Sequence, residues 1–267
     1  MFALSKPLKN NTMEQFIKTY EDDITVNSYL LKKDLQKPEI KILEKHFNKI
    51  KDSILLDVGI GTGRTTFHLL PIASKYVGVD ISKGMIEGAK KNFVNKNIDF
   101  KVCDARDLSL FEDNTFDVVF FSFNGIDYIE LEERILFFNE VKRICKKDAL
   151  LIFSTHNIFN IPSLFKFKFS SNPMNLYSNV KKYLKLKNHN TNINLDINKV
   201  KAIKINDGAH DFGLKTAYVN PKSQKELLEE YGFKEVNCFG SRTGLEIKNN
   251  LEKVEDPWIY FSCSVNS

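Results

Sequence analysis

Ile54-Leu55-Leu56-Asp57-Val58-Gly59-Ile60-Gly61-Thr62-Gly63-Arg64 runs from an apolar strand into a glycine-rich turn. The strand ends on a carboxylate, Asp57, and a helix is expected to open near Thr65. Glycines at alternate positions give a tight strand-to-helix turn backbone angles closed to other residues, and let a ligand touch the main chain. A pyrophosphate-binding turn wants G-x-G-x-x-G. Here the last glycine comes one residue early, Arg64 fills its slot, and Asp57 would repel a pyrophosphate. The carboxylate suits a ligand with a cationic amino-acid tail.

Outward from this turn, strands are expected at 53–58, 76–80, 98–102, 115–121 and 148–154, with helices at 62–73, 83–94 and 131–146. That alternation implies an α/β fold with a doubly wound, mostly parallel sheet. The first strands are rich in Val, Ile and Leu without strict alternation, as when both faces are covered. Upstream, Ile40, Leu43 and Phe47 recur at helical spacing, so residues 1–48 read as a helical cap with a frayed, polar start. After Asn157 the rhythm stops. Residues 157–213 carry Pro162, Pro173, many asparagines and lysines, and interleaved aromatics. They read as an insertion after the fifth strand that covers the substrate. Residues 214–267 resume with Thr216–Val219, a helix from Pro221, and two late strands.

The turn resembles the first motif, D-x-G-x-G-x-G, of the class I S-adenosylmethionine (SAM) methyltransferases. Tyr76-Val-Gly-Val-Asp80, Ile81-Ser-Lys-Gly-Met85, Phe100-Lys-Val-Cys-Asp104-Ala105 and Phe116-Asp-Val-Val-Phe-Phe-Ser122-Phe-Asn124 resemble the segments that follow in that family. The resemblance covers residues 50–156. It implies a seven-stranded sheet whose seventh strand is antiparallel, and SAM as cofactor. Asp57 is then expected at the ammonium, with Gly59 and Gly61 against the ligand. Asp80 is expected on the ribose hydroxyls, Met85 beside the adenine, Asp104 and Ala105 at its edge, and Ile81 and Ser122 at the cofactor. Tyr20 and Tyr29 are expected to close over the sulfonium, where an aromatic face makes a cation–π contact.

In-line methyl transfer needs a positioned nucleophile, and an oxygen nucleophile also needs a base. The candidates are Asp127, His156 and His210, with Asn124, Tyr128, Tyr177 and Asp211 as acceptor contacts. The acceptor expected is a small molecule, a phosphorylated or nucleotide-linked sugar or amine of surface-polysaccharide synthesis. An RNA-directed enzyme and a non-catalytic SAM-fold partner stay open as alternatives. The Asn/Asp-Pro-Pro-Tyr tetrad that holds a flipped base is missing, and the net charge is only +5, which argues against nucleic acid. No run approaches a membrane span. Cys103, Cys145, Cys238 and Cys263 have no metal-ligand spacing, so no metal is expected and free thiols in a cytoplasmic protein are.

Overall fold

The computed structural model describes residues 11–94, 96, 98–191 and 196–266. The frayed start expected for the first residues therefore lies, over 1–10, outside the described residues. The chain begins with α1 (Asn11–Glu21), α2 (Asp23–Leu30), α3 (Lys37–Lys45) and α4 (Phe47–Ile50). The first half of the sheet follows: β1 (Ile54–Val58), α5 (Thr66–Leu69), β2 (Lys75–Asp80), α6 (Lys83–Asn92), β3 (Asp99–Val102) and β4 (Phe116–Phe121). Then come α7 (Arg134–Ile144), β5 (Cys145–Asn157), α8 (Ile161–Leu164) and α9 (Pro173–His189). The chain finishes with β6 (Ala202–Ile205), β7 (Thr216–Val219), α10 (Pro221–Glu230), β8 (Lys234–Gly240) and β9 (Trp258–Ser264).

The strands form one sheet in the order β3-β2-β1-β4-β5-β7-β6. β9 runs antiparallel to β5 over Leu150–His156 and carries β8 on its other side. The parallel core and the antiparallel late strand are as expected. The strand count is not: among the described residues there are nine strands rather than seven. The additional pair is the β6–β7 hairpin, which joins the sheet where His156 and Asn157 pair with Tyr218 and Val219. The segment after β5 is thus stitched to the sheet rather than hung from it.

Alternation along the strands explains the continuous apolar runs. Leu56, Val58, Val119 and Phe121 belong to one core cluster, which also holds Phe137 and Phe138 of α7 and Leu228 of α10. Leu55, Val118 and Phe120 belong to the other, with Ile42, Ile50, Leu69 and Ile86. Successive side chains point to opposite faces, and helices cover both.

The helix expected at 62–73 shrinks to four residues. The glycine turn occupies its start, and Pro71, which lacks an N–H, ends it. All four cysteines are buried and free. Burial pushes the thiols of Cys103, Cys145 and Cys238 up to about 12, which leaves them unreactive near neutral pH. No helix among the described residues is long and apolar enough to cross a membrane.

Candidate functional site

A cavity of about 1040 Å³, counted to its open mouth, lies at the carboxyl ends of β1, β2 and β4. Asp57, Gly59, Gly61, Asp80, Ile81, Met85, Asp104, Ala105 and Ser122 all line it. Parallel strands end together, so residues distant in sequence converge at one edge of the sheet.

The glycine turn is shaped by this cavity. Gly61 has φ +56°, and a Cβ there would meet nothing nearer than Tyr29 at 3.8 Å and Met85 Sδ at 4.0 Å. It would stand in the cavity itself, so the missing side chain is what leaves the cradle open. The turn is pinned from below, because Asp80 accepts from the Gly61 N–H at 2.8 Å and from the Ser82 N–H at 2.9 Å.

Asp57 is almost fully buried. It accepts from Thr65 Oγ1 at 2.5 Å and Tyr76 O–H at 2.7 Å, both on Oδ2. Burial raises its pKa to about 7 and that of Asp80 to about 6, against the lowering by their hydrogen bonds. A cation placed beside either carboxylate would restore the charged form. Asp104 takes three donors of one arginine: Arg106 N, Nε and Nη2. It still lines the cavity, and a carboxylate has about four acceptor positions.

The cavity roof is the α1–α2 segment. Gly84 of α6 lets it approach, since a Cβ there would stand 3.2 Å from Glu21 Cα. Ser82 Oγ donates to Tyr20 O at 2.9 Å, tying roof to floor. Phe16, Tyr20, Tyr29 and Tyr128 meet beneath it, with ring centroids 4.6–6.1 Å apart. Burial raises the phenol pKa of Tyr20, Tyr29 and Tyr128. These tyrosines are therefore neutral at physiological pH.

The acceptor-side candidates separate. Asp127 is the clear correction: it is fully buried and does not line the cavity. Arg134 Nη2 (2.7 Å), Thr155 Oγ1, the His156 N–H (2.8 Å) and His156 Nδ1 (2.7 Å) all bond to it. A carboxylate so occupied orients its neighbours and has no free position for a substrate proton. His156 points its Nε2 toward the Asn124 side chain at 3.5 Å, and neither residue lines the cavity. Asn124 still shapes it, because Phe123 (φ +55°) and Asn124 (φ +61°) force a sharp turn at the tip of β4. Tyr177, on α9, is 72% exposed and outside the cavity. Asp211 is exposed and pairs with Lys185 at 3.2 Å. α9 buries only Leu186; Tyr177, Lys181, Lys182 and Lys187 are exposed, while Tyr183 and Lys185 are half-buried. His210 does not line the cavity either, but its Nε2 lies 3.0 Å from Tyr20 O–H.

Lys32 and Arg64 of the lining, and Glu39 behind it, had no part assigned from the sequence. Arg64 forms a two-pronged pair with buried Glu39 at 2.6 and 2.7 Å. Glu39 also holds Ser122 Oγ and accepts from Tyr260 O–H at 2.9 Å. Hydrogen bonds from Arg64 and Ser122 outweigh burial and hold the Glu39 carboxyl below its ordinary pKa. Lys32 lines the mouth with its Nζ 4.0 Å from the Tyr29 ring centre. Only the capping pattern Gln36-Lys-Pro-Glu39 could have flagged Glu39.

Residues 55–148 match the family model for the methyltransferase domain. The chain is a SAM-dependent methyltransferase. The enzyme is 29% identical over 228 residues to the uncharacterised protein MJ1252 of Methanocaldococcus jannaschii, covering 84% of this chain and 79% of that one. It is 41% identical to the ubiquinone/menaquinone biosynthesis C-methyltransferase UbiE of Desulfotalea psychrophila over 71 residues, 26% of this chain and 28% of that one. In structure it resembles the Burkholderia thailandensis 1,6-didemethyltoxoflavin-N1-methyltransferase, solved with its substrate and S-adenosylhomocysteine. The TM-score is 0.58 at 13% identity, covering 99% of this chain and 94% of that one, a likeness of fold. SAM is the enzyme's cofactor, and the residues fit it: an open glycine cradle, and three carboxylates whose acceptor chemistry suits an ammonium, a diol and an amine.

Proposed function

We propose that the enzyme methylates a small acceptor with a flat, apolar body, held under the α1–α2 roof beside Tyr20 and Tyr128. The observation that carries this reading is the apolar lining of Phe16, Tyr20, Tyr29, Phe123, Tyr128 and Ile129, which shares the cavity with the glycine cradle. Asp57 would hold the SAM ammonium, Asp80 the ribose hydroxyls, and Asp104 with Ala105 the adenine edge. When bound, SAM supplies a methyl carbon already activated by its sulfonium. The chain's own task is placement, which is worth ~7–11 kcal/mol of barrier when reacting atoms are held near attack. The tyrosine faces exclude water and suit a cation.

The phosphorylated sugar or amine expected from the sequence keeps one support, the cationic pair Lys32 and Arg64 in the lining. The lysines of α9 do not contribute. A cavity under a tied roof also disfavours RNA.

The test is methyl incorporation from labelled SAM into a panel: phenol, catechol, aniline, glucose 1-phosphate, glucosamine 6-phosphate and a short RNA. Turnover of the small aromatic members above the others is expected. Turnover of RNA alone, or of the sugar phosphates alone, would replace this acceptor class.

A further inference from the structure

Tyr20 and His210 are separated by 190 residues yet share a hydrogen bond across the cavity wall. Three features make this contact more than packing. Tyr20 lines the cavity, whereas His210 stands behind it, half-buried on its outer side. The rings meet edge to face at 4.9 Å. The loop that presents His210 is strained: His210, Asp211 and Phe212 have φ of +48°, +51° and +69° in succession. Non-glycine residues in the left-handed region are strained and persist only where the surroundings hold them. Here Asn206 Nδ2 donates to Phe212 O at 2.7 Å, and His189 stacks on the Phe212 ring at 5.1 Å.

We propose that Tyr20 and His210 form a proton relay that carries a proton out of the cavity, and hence that the acceptor is a hydroxyl compound. This rests on the methyl-transfer reading above and chooses oxygen within it. The step balances. The acceptor oxygen forms a bond to the methyl carbon as the carbon–sulfur bond breaks, its electron pair staying on sulfur. The acceptor proton passes to the Tyr20 oxygen while the Tyr20 proton passes to His210 Nε2. The products are the methylated acceptor, S-adenosylhomocysteine and an imidazolium that water then deprotonates.

Each residue suits its part. Tyr20 is too weak an acid to act as a phenolate base, but it can accept and donate at once. His210 accepts on Nε2 when its neutral ring carries the proton on Nδ1. The charged groups that act on it are Asp207 and Lys32, and Tyr20 O–H is its hydrogen-bond neighbour. Burial and Lys32 lower its pKa, while Asp207 raises it. The net direction is down, so the ring is neutral and ready at pH 7. An amine acceptor would need no such path, since it can lose its proton to water after transfer.

The test has two arms. In the first, the His210 ring is titrated by NMR in the parent protein and in Tyr20→Phe, without acceptor. The Tyr20 O–H stabilises the neutral ring, so its loss should raise the midpoint toward the ordinary histidine value of about 6.5. In the second, methylation of phenol and of aniline is followed at saturating SAM in the parent, Tyr20→Phe, His210→Gln and the double variant. Phenol turnover should fall at least tenfold in each variant, the double no worse than either single. S-adenosylhomocysteine affinity should stay within threefold in His210→Gln, and the acidic limb of the parent's profile should lie below the ordinary histidine range. An unmoved midpoint overturns the relay, as does phenol turnover that His210→Gln leaves intact, or a parent that methylates aniline but not phenol. Loss of S-adenosylhomocysteine binding by the parent would instead sink the cofactor reading.

Discussion

Asp127→Ala should lower the unfolding free energy by about 3–5 kcal/mol, the usual cost of stranding one partner of a buried ion pair. Asp127 and Arg134 keep side-chain exposures of 0% and 6%, so the guanidinium left behind has no water to turn to. Its Nε and Nη1 already have no hydrogen-bond partner among the described residues. Thr155 and the His156 backbone lose their acceptor as well. Urea denaturation of parent and variant measures the loss directly. Asp127→Asn should fall between them, since the amide oxygen still accepts but carries no charge. A base would behave differently: its removal would abolish turnover at unchanged stability, and that result would return Asp127 to the catalytic list.

Gly61→Leu should weaken SAM binding at least a hundredfold while the fold survives. A Cβ at this position meets no protein atom nearer than Tyr29 at 3.8 Å, so the side chain starts out into the cavity and not into the core. Its φ of +56° adds backbone strain that disfavours any branched or bulky residue. A hundredfold loss corresponds to about 2.7 kcal/mol, or two factors of ten. Circular dichroism would confirm the fold and calorimetry the affinity. Retained binding in a folded variant would mean that the cradle does not face the cofactor.

The parallel core was legible because its strands are buried on both faces, which leaves unbroken apolar runs ending in Asp57 and Asp80. The cavity-lining residues Asp57, Gly59, Gly61, Asp80 and Ile81 sit within a few positions of those strand ends, so local sequence locates them. The acceptor side is different. Glu39 reaches Arg64, Ser122 and Tyr260 across up to 221 residues, and no local pattern marks such a meeting. Tyr177 misled because lysines interleaved with aromatics look alike on a helix that faces a ligand and on one that faces water. Asp127 misled in another way: a carboxylate just after a strand end suits a base, but here the chain turns at Phe123 and Asn124 and carries it beneath the surface. The β6–β7 hairpin was half seen, because Ala202–Ile205 is too short and too polar in context to stand out from the asparagine-rich stretch around it.

The central claim is that SAM lies in the β1–β2–β4 cavity with Asp80 on its ribose. Calorimetric titration of SAM and S-adenosylhomocysteine into the parent and Asp80→Ala tests it most directly. The account predicts saturable binding to the parent and at least a tenfold loss in the variant, about 1.4 kcal/mol. Equal affinity in a folded Asp80→Ala protein, or no binding to the parent, would contradict it.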